Sequence, residues 1–460
     1  MRSVIVIGGG ISGLAAAWQL RGGADVTVLE SHAKVGGKLR TGTIAGITVD
    51  EGAESLMALR PEAVELAAAV GLGDALCDPA SAPTTVWTHG DLRPLPAGHV
   101  MGVPTDPAAL AGTGLLSPEG LARVMAEETL PARPVTEDVS VTEYLAGRIG
   151  QEAVDRLVEP MLGGIYAGMA ERLSLRAAMP RIAALAAQGA PLLPALRRMR
   201  AGGAPRSGAV AVQGVRGGTG RFPQAVAEAC GARILTGTTA RSMQQLPGDR
   251  WRVHAVTNDG PLTMEADAVV LALPAYAAAE LLRPHSPAAE TELSAIPHAS
   301  SAVITMAFSR AQSHYLPEGN GFLVPPVDGH LVKAASFLSN KWGWLRESAP
   351  DVFVLRASVG RIGEDVLERP DRHLIRSAIA ELHHAVGPMG EPIATRVTRW
   401  DRGLPQYGVG HRDRVDRIRT AVDKLPTLAV AGAAYEGVGV AACVATGRTA
   451  AKDILDHLAP

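Results

Sequence analysis

The sequence predicts an α/β protein whose parallel sheet is assembled from both ends of the chain. Residues 3–7 form a short apolar run that passes at once into closely spaced glycines and then into a helical pattern. Residues 428–433 begin the same order of run, glycines and helix near the other end. Such continuous apolar runs are typical of strands buried on both faces of a parallel sheet. We therefore expect the two ends to meet in one discontinuous domain.

The composition indicates an ordinary globular chain, long enough at 460 residues for two or three domains. Its net charge is −2, which predicts no nucleic-acid partner. No window has the roughly 18 apolar residues that a membrane-spanning helix needs. We find no signal peptide either, and therefore expect a cytoplasmic protein, with peripheral membrane contact left open. Cys77, Cys230 and Cys443 stand far apart, so we expect no disulfide and no metal site.

The first thirty residues carry a dinucleotide-binding pattern. A strand runs into G-x-G-x-x-G spacing, a helix over residues 14–20 follows, and a second strand over residues 26–29 ends in an acid. The glycines permit a tight turn and close approach of a pyrophosphate to the helix N-terminus, and the acid accepts hydrogen bonds from a ribose. An acid here disfavours the 2′-phosphate of NADP. The alternative is a glycine-rich turn without a ligand. The predicted contacts are Gly8, Gly10, Ile11, Ser12, Gly13 and Glu30.

Further motifs resemble the amine-oxidase-like flavoproteins. They are Gly36-Gly37-Lys38 after the second strand, Gly52–Ser55, and Tyr435–Val440 before the helix over residues 441–455. The resemblance implies FAD in a Rossmann-like domain, with the last helix directing its positive N-terminus at the flavin pyrimidine. The family usually has Arg where this chain has Lys38, which keeps the charge but loses the bidentate fork. The further contacts it implies are Gly37, Lys38, Gly52, Ala53, Glu54, Ser55, Ala240, Trp400, Gly432, Val438, Gly439 and Val440.

Patterns along the rest of the chain predict two more domains. Most windows between residues 110 and 196 look helical, among them Val141–Ile149, Gln151–Leu157 and Leu175–Ala187. Strands such as Val352–Val359 mix with helices after residue 276, which is typical of an α+β domain. The predicted domains are an FAD-binding domain of residues 1–70, 205–275 and 425–460, a helical inserted domain of residues 98–200, and an α+β substrate-binding domain of residues 71–97 and 276–424.

Several longer segments resemble the porphyrinogen oxidases of haem biosynthesis, most of all the coproporphyrinogen III oxidases of actinobacterial type. The resemblance runs in order from the first residue to about residue 455. Its segments are Gly52–Glu62, Val158–Gly168 with Leu173–Arg176, Gly217–Pro223, Leu404–His411 and Tyr435–Gly447.

This resemblance implies that FAD oxidises coproporphyrinogen III to coproporphyrin III with oxygen as acceptor, in three two-electron cycles that each release hydrogen peroxide. A ferrochelatase is an implied recipient of the product. The pyrrole nitrogens lose protons as a meso-carbon gives up hydride, so no side-chain acid or base is needed and we name no catalytic residue. The resemblance implies substrate contacts at Arg60, Tyr166 and Tyr407. The alternatives are a solvated arginine and two packed core tyrosines, and Trp400 has a core alternative too.

Three other functions stay open on the sequence. Protoporphyrinogen IX has two propionates where coproporphyrinogen III has four, and the sequence does not show which arginines line the pocket. A flavin amine oxidase is the second enzymatic class, although its covalent-flavin Cys motif is absent. The non-enzymatic alternative is a porphyrin carrier without turnover. The intact phosphate-binding glycines argue against it.

Overall fold

The computed structural model describes residues 2–82, 84–202, 211–313 and 315–459. The predicted domain boundary at residue 205 lies outside the described residues, and the domain boundaries remain a prediction. The strands are β1 (Arg2–Ile7), β2 (Ala24–Leu29), β3 (Thr41–Ile44), β4 (Ile47–Asp50), β5 (Leu56–Met57), β6 (Leu76–Cys77), β7 (Thr85–Thr88), β8 (Asp91–Pro94), β9 (Val212–Val215), β10 (Arg233–Leu235), β11 (Thr239–Leu246), β12 (Arg250–Thr257), β13 (Gly260–Ala266), β14 (Ala268–Leu271), β15 (His298–Ser309), β16 (Gly321–Leu323), β17 (Val332–Ser336), β18 (Val352–Val359), β19 (Ala394–Pro405) and β20 (Leu428–Val430).

Helices cover the sheets and form a layer of their own between residues 107 and 202. They are α1 (Ile11–Leu20), α2 (Pro61–Ala69), α3 (Pro107–Ala111), α4 (Pro118–Met125), α5 (Val141–Ile149), α6 (Gln151–Ala153), α7 (Glu159–Tyr166), α8 (Leu175–Ala178), α9 (Pro180–Ala187), α10 (Leu192–Gly202), α11 (Arg221–Ala229), α12 (Ala275–Leu282), α13 (Pro287–Ser294), α14 (Leu338–Lys341), α15 (Gly343–Ser348), α16 (Asp371–Val386), α17 (His411–Val422) and α18 (Val440–Leu458).

A parallel sheet joins the two ends of the chain. Its strand order is β10-β2-β1-β14-β20, and all neighbours run parallel. One face packs on α1 and α18 through small and branched side chains, and the other packs on β12, α12, α13 and α17. Strands from the start, the middle and the end of the chain therefore share one sheet, which confirms the predicted α/β class and its discontinuous Rossmann-like domain.

Helices α1 and α18 lie unusually close together. A Cβ at Gly447 of α18 would overlap the backbone carbonyl of Ser12, and a Cβ at Gly13 would overlap the carbonyl of Gly8. Glycine is required at both positions because the obstructing atoms belong to the backbone and have little freedom to move. This close packing fixes the two helices to each other and to the sheet beneath them.

A second, mixed sheet has the order β19-β15-β18-β17-β16-β7-β8, in which β16 and β7 are the parallel pair. Helix α16 covers one of its faces and contributes Leu374, Ala378 and Leu382 to a core shared with Phe308 and Leu355. The segment between residues 72 and 100, which looked turn-rich in sequence, supplies the short edge strands β7 and β8 of this sheet.

The helical layer follows the predicted pattern with two interruptions. The helix predicted over Leu175–Ala187 is broken at Met179, because the residue before a proline disfavours helical backbone and Pro180 follows. The helix predicted over Gln151–Leu157 changes after Ala153 into a π-turn, Val154–Val158. The predicted ranges Val141–Ile149 and Val352–Val359 are confirmed.

The contact between α1 and α18 gives a stability test. We expect Gly447→Ala to lower the free energy of unfolding by ~1–3 kcal/mol, because the added methyl group meets a carbonyl that cannot retreat. Gly147→Ala is the matched control, since Gly147 is an exposed helical glycine of α5 with open space around a Cβ. That change should be neutral or stabilising, by up to ~1 kcal/mol. Thermal unfolding of the two variants beside the parent protein measures both; equal unfolding temperatures for the two variants would contradict the packing argument.

Candidate cofactor and substrate site

The turn from β1 into α1 places Gly8, Gly10, Ile11, Ser12 and Gly13 together, as predicted. Gly10 is the N-cap residue of α1, and neither a capping side chain nor an acid occupies the first turn of that helix. A Cβ at Gly10 would meet nothing within 4 Å. The helix therefore directs unsatisfied N–H groups and its positive end into open space, an arrangement that suits a phosphate.

Helix α18 repeats this arrangement at Gly439. Gly439 is its N-cap residue, no side chain caps the helix, and a Cβ there would also meet nothing within 4 Å. Because α1 and α18 follow parallel strands and pack on the same face, their N-termini point in one direction. Gly447, seven residues into α18, lies on Ser12, one residue into α1. The start of α18 therefore projects about 9 Å beyond the start of α1. Two staggered positive helix ends fit an extended anionic cofactor.

Glu30 ends β2 beside this turn and is buried. Its Oε2 accepts a hydrogen bond from the Gly9 N–H at 2.8 Å, and its Oε1 accepts one from the His32 N–H at 2.7 Å. The Glu30 carbonyl accepts from Thr238 at 2.8 Å, which brings the start of β11 with Ala240 to the same edge. The His32 ring and the Ser31 hydroxyl also contact Oε1, whereas Oε2 accepts only from Gly9 among the described residues and can still accept from a ribose hydroxyl.

Lys38 lies near the first turn of α18. Its side chain is exposed, yet burial among the surrounding protein lowers the pKa of its ammonium. The nearby thiol of Cys443, in the first turn of α18, acts against this shift. A Cβ added to Gly37, one residue earlier, would lie 3.4 Å from the Gly10 Cα. The Gly37-Lys38 segment therefore runs along the open side of both helix N-termini.

The Gly52–Ser55 segment is held between the two sheets. The Lys38 carbonyl accepts from Ala53 at 3.1 Å, and the Trp400 indole donates to the Glu51 carbonyl at 3.0 Å. A Cβ at Gly52 would lie 3.0 Å from the Trp400 ring, so this indole packs directly on the segment. Ser55 follows and is half-buried. Trp400 therefore supports the predicted cofactor segment from the side of the mixed sheet.

Glu54 is a predicted cofactor contact whose carboxylate already has partners within the protein. Its buried carboxylate pairs with Lys341 and, at 2.9 Å, with Arg356, which also donates to the Gly52 carbonyl at 2.8 Å. Burial raises the pKa of Glu54, but Arg356 and Lys341 together outweigh burial and leave the pKa below its ordinary value. The ionised Glu54 thus ties the Gly52–Ser55 segment to α14 and to β18 of the mixed sheet. The sequence carries no signal for these partners, which lie 287 and 302 positions away.

The glycine-rich segment near residue 218 has a packing role. Thr219 donates to the Asp50 carboxylate from its N–H at 2.7 Å and from its hydroxyl at 2.8 Å. Burial nevertheless raises the pKa of Asp50 to about 6. A Cβ at Gly218 would overlap the Thr41 side chain. This segment therefore anchors the strand that leads into Gly52, and it adds no second phosphate loop.

The predicted substrate residues lie in different surroundings. Arg60 is exposed at the start of α2 and pairs with Glu62 at 2.9 Å. Close by, Met57 and Leu59 are large apolar side chains with exposed fractions of 46% and 44%. Sequence analysis did not single out these two. Together with Arg60 they form a surface that is both apolar and cationic. Such a surface complements a macrocycle that bears carboxylates.

Tyr166 and Tyr407 are packed against each other, with ring centroids 5.6 Å apart. Burial raises the pKa of Tyr166 to about 12, so its hydroxyl stays protonated. Tyr407 is 1% exposed, its hydroxyl donates to the Ala433 carbonyl, and its ring is stacked on His411 at 4.2 Å. The substrate contact of Tyr407 stays a prediction; in the structure its hydroxyl and one face of its ring are engaged by protein groups.

Among the described residues, no group of His, Cys, Asp and Glu side chains could hold a metal ion. Within the same ranges, no helix combines the length and the apolar character needed to cross a membrane.

Comparison with known proteins assigns the family. The model of the flavin containing amine oxidoreductases matches residues 11–455. Coproporphyrinogen III oxidase of Mycobacterium tuberculosis (strain H37Rv) is 34% identical, with 99% of this chain and 98% of the relative covered. Coproporphyrinogen III oxidase of Bacillus subtilis (strain 168) is 30% identical over the same shares.

Solved structures agree at the level of the whole chain. A crystal structure from Exiguobacterium sp. 255-15, provisionally named protoporphyrinogen oxidase, has a TM-score of 0.87 at 32% identity and covers 99% of this chain and 98% of its own. Putrescine oxidase, at 19% identity and a TM-score of 0.71 with 99% of both chains covered, shares the fold. These findings confirm the predicted flavin cofactor. The chain belongs to the flavin containing amine oxidoreductase family and, within it, to the group of coproporphyrinogen III oxidases.

Proposed function

We propose that this chain oxidises coproporphyrinogen III to coproporphyrin III, with FAD as its cofactor and oxygen as the electron acceptor. The observation that carries the proposal is the pair of staggered, uncapped helix N-termini at Gly10 and Gly439, beside which Lys38 lies. The full-length similarity to coproporphyrinogen III oxidases supports the choice of substrate.

The residues present fit FAD. We assign the pyrophosphate to the N-terminus of α1, the ribose to Glu30, the adenine to the neighbourhood of Ala240, and the flavin to the N-terminus of α18. When bound, FAD supplies a two-electron acceptor. The positive end of α18 favours negative charge on the flavin pyrimidine. The remaining proposed contacts line these same groups: Gly8, Ile11, Ser12, Gly13, Gly37, Lys38, Gly52, Ala53, Ser55, Trp400, Gly432, Val438 and Val440.

The chain's own contribution to the reaction is to place the macrocycle. A porphyrinogen carries ionisable pyrrole N–H groups of its own, so removal of its protons requires no dedicated side-chain base. Arg60 attracts a propionate while Met57 and Leu59 cover apolar edges of the ring. Tyr166 is proposed to border the same space. Holding the ring in a productive orientation then supplies the rate enhancement.

Protoporphyrinogen IX is the second candidate substrate. Chloroplastic protoporphyrinogen oxidase of Oryza sativa is 26% identical over 99% of this chain and 88% of its own length, which favours this alternative. A flavin amine oxidase has support from the shared fold alone. Oxygen as acceptor, the cytoplasm as the compartment and transfer of the product to a ferrochelatase are parts of the proposal.

The first test compares the two porphyrinogens. The purified protein, with FAD confirmed by its yellow absorbance, is given each porphyrinogen separately under air while porphyrin fluorescence is recorded. We expect coproporphyrinogen III to be oxidised with the higher kcat/KM and hydrogen peroxide to accumulate at three molecules per porphyrin. Samples without enzyme correct for spontaneous oxidation. A higher kcat/KM for protoporphyrinogen IX would move the proposal to the second candidate, and bound FAD without either activity would overturn both.

A second test concerns Lys38. Lys38→Met should weaken FAD binding about tenfold or more, because a charge-assisted hydrogen bond contributes ~1.5–3 kcal/mol. Lys38→Arg keeps the charge and should bind nearly as well as the parent protein. The matched control is Lys34→Met, which removes an exposed lysine four positions away. Titration of each apoprotein with FAD by calorimetry provides the affinities. Equal losses in Lys34→Met and Lys38→Met would show that Lys38 has no specific contact.

A third test concerns Arg60. Replacing this arginine in Arg60→Met should raise the KM for coproporphyrinogen III by roughly three- to tenfold at a nearly unchanged kcat, as expected for a contact made equally before and during the reaction. Arg241→Met, which removes an arginine that is exposed on β11, is the control. If Arg60→Met and Arg241→Met have the same KM, Arg60 is merely solvated.

A further inference from the structure

Tyr407 and His411 form a buried stack at the meeting point of three parts of the chain. Their rings are 4.2 Å apart and inclined by 17°, and they are 1% and 2% exposed. Tyr407 ends the segment that leaves β19, and His411 begins α17. The stack lies between the helical layer and the loop that connects β20 to α18.

The helical layer fixes the backbone around this stack. The Asp138 carboxylate accepts from the Gly410 N–H at 2.7 Å and from the Ser174 hydroxyl at 2.7 and 2.8 Å. Ser174 in turn donates its N–H to the Tyr407 carbonyl at 2.7 Å. Hydrogen bonds from the helical layer therefore fix the backbone at Tyr407 and at Gly410, independently of the Tyr407 side chain.

The Tyr407 hydroxyl contacts the loop between Gly432 and Gly439. It donates to the Ala433 carbonyl at the start of this loop. Burial raises the pKa of Tyr407 well above its ordinary value, and the Gly437 N–H acts against that rise from the far end of the loop. The hydroxyl therefore ties the start of this loop to the segment that follows β19. Because α18 begins seven residues after Ala433, we expect the position of its N-terminus to depend on this contact.

His411 completes the arrangement as a neutral aromatic ring. Burial lowers the pKa of His411 to about 4, with the Ala434 carbonyl acting in the opposite direction. Neither ring nitrogen meets hydrogen-bond geometry with a partner among the described residues. Its direct contribution is therefore the flat face that it offers to Tyr407, which restrains the phenol in the rotation that reaches Ala433.

We propose that Tyr407 and His411 are positioning residues for the flavin: His411 holds Tyr407, and the Tyr407 hydroxyl holds the loop that sets where α18 begins. The inference rests on the proposed function, because it assigns the N-terminus of α18 to the flavin. A helix end stabilises a developing negative charge only when its N–H groups are aimed at that charge. Loosening the loop should therefore disfavour the reduced flavin.

The test is the reduction potential of the flavin in the FAD-loaded protein. Tyr407→Phe keeps the ring and removes the hydroxyl, and we expect the equilibrium to shift about tenfold toward oxidised flavin, which is ~30 mV for two electrons. The matched control is Tyr435→Phe in the same loop, because the buried Tyr435 hydroxyl has no partner among the described residues. That variant should keep the parent potential.

Two variants of His411 separate stacking from polarity. His411→Phe retains a ring for the stack and should keep the parent potential, whereas His411→Ala should reproduce the shift of Tyr407→Phe. A shift in His411→Phe as large as that in His411→Ala would overturn the stacking role. An unchanged potential in Tyr407→Phe, with a raised KM for the porphyrinogen, would instead return Tyr407 to the substrate and overturn the proposal.

Hydrogen exchange of the apoprotein keeps this test independent of the proposed function. The amides of residues 433–439 should exchange about tenfold faster in Tyr407→Phe than in Tyr435→Phe, since one contact worth ~1.4 kcal/mol is lost. If the protein binds no FAD but this difference is found, the proposed function fails, while the role of the Tyr407 hydroxyl in holding the loop stands. Equal exchange in the two variants would show that the hydroxyl does not hold the loop.

Discussion

The close contact of α1 with α18 is the constraint on which the rest of the structure depends. It exists because a glycine, Gly447, lets one helix rest on the backbone of the other at Ser12. The contact joins parts of the chain separated by more than 400 positions and fixes the stagger between two uncapped helix N-termini. Without that stagger, the two helix N-termini would not be held at a fixed distance from each other, as the phosphate end and the flavin end of one cofactor require.

The second constraint is electrostatic and joins the Gly52–Ser55 segment to α14 and to β18 of the mixed sheet. Removing Glu54, Lys341 and Arg356 from water is costly, and their mutual attraction offsets this cost only in good geometry. Such a cluster adds little net stability, but it tolerates few alternative positions of the Gly52–Ser55 segment. Arg356 extends this restriction to the Gly52 carbonyl, so the segment beside Lys38 is placed by charges on α14 and β18.

Local patterns in the sequence predicted what depends on neighbours in sequence. The glycine spacing around Gly10, the acid at Glu30 and the exact bounds of α5 and β18 all reflect short-range rules of turns, strand ends and periodicity. The structure departs from prediction where partners are remote in sequence. No residue near Glu54 in the sequence indicates that its carboxylate pairs with Lys341 and Arg356. No periodicity predicts that the Tyr407 hydroxyl donates to the Ala433 carbonyl.

The same distinction explains why we propose that a tyrosine in a substrate-associated motif positions the cofactor. A reaction whose substrate supplies its own acidic N–H groups places few chemical demands on side chains, and its rate depends on geometry between ring and flavin. Residues that fix this geometry need not touch either partner. Tyr407 meets that description: it is sealed from solvent, held by the helical layer and directed at the loop before α18. In such an enzyme, the side chains that matter most for the reaction are those that leave the cofactor the least freedom.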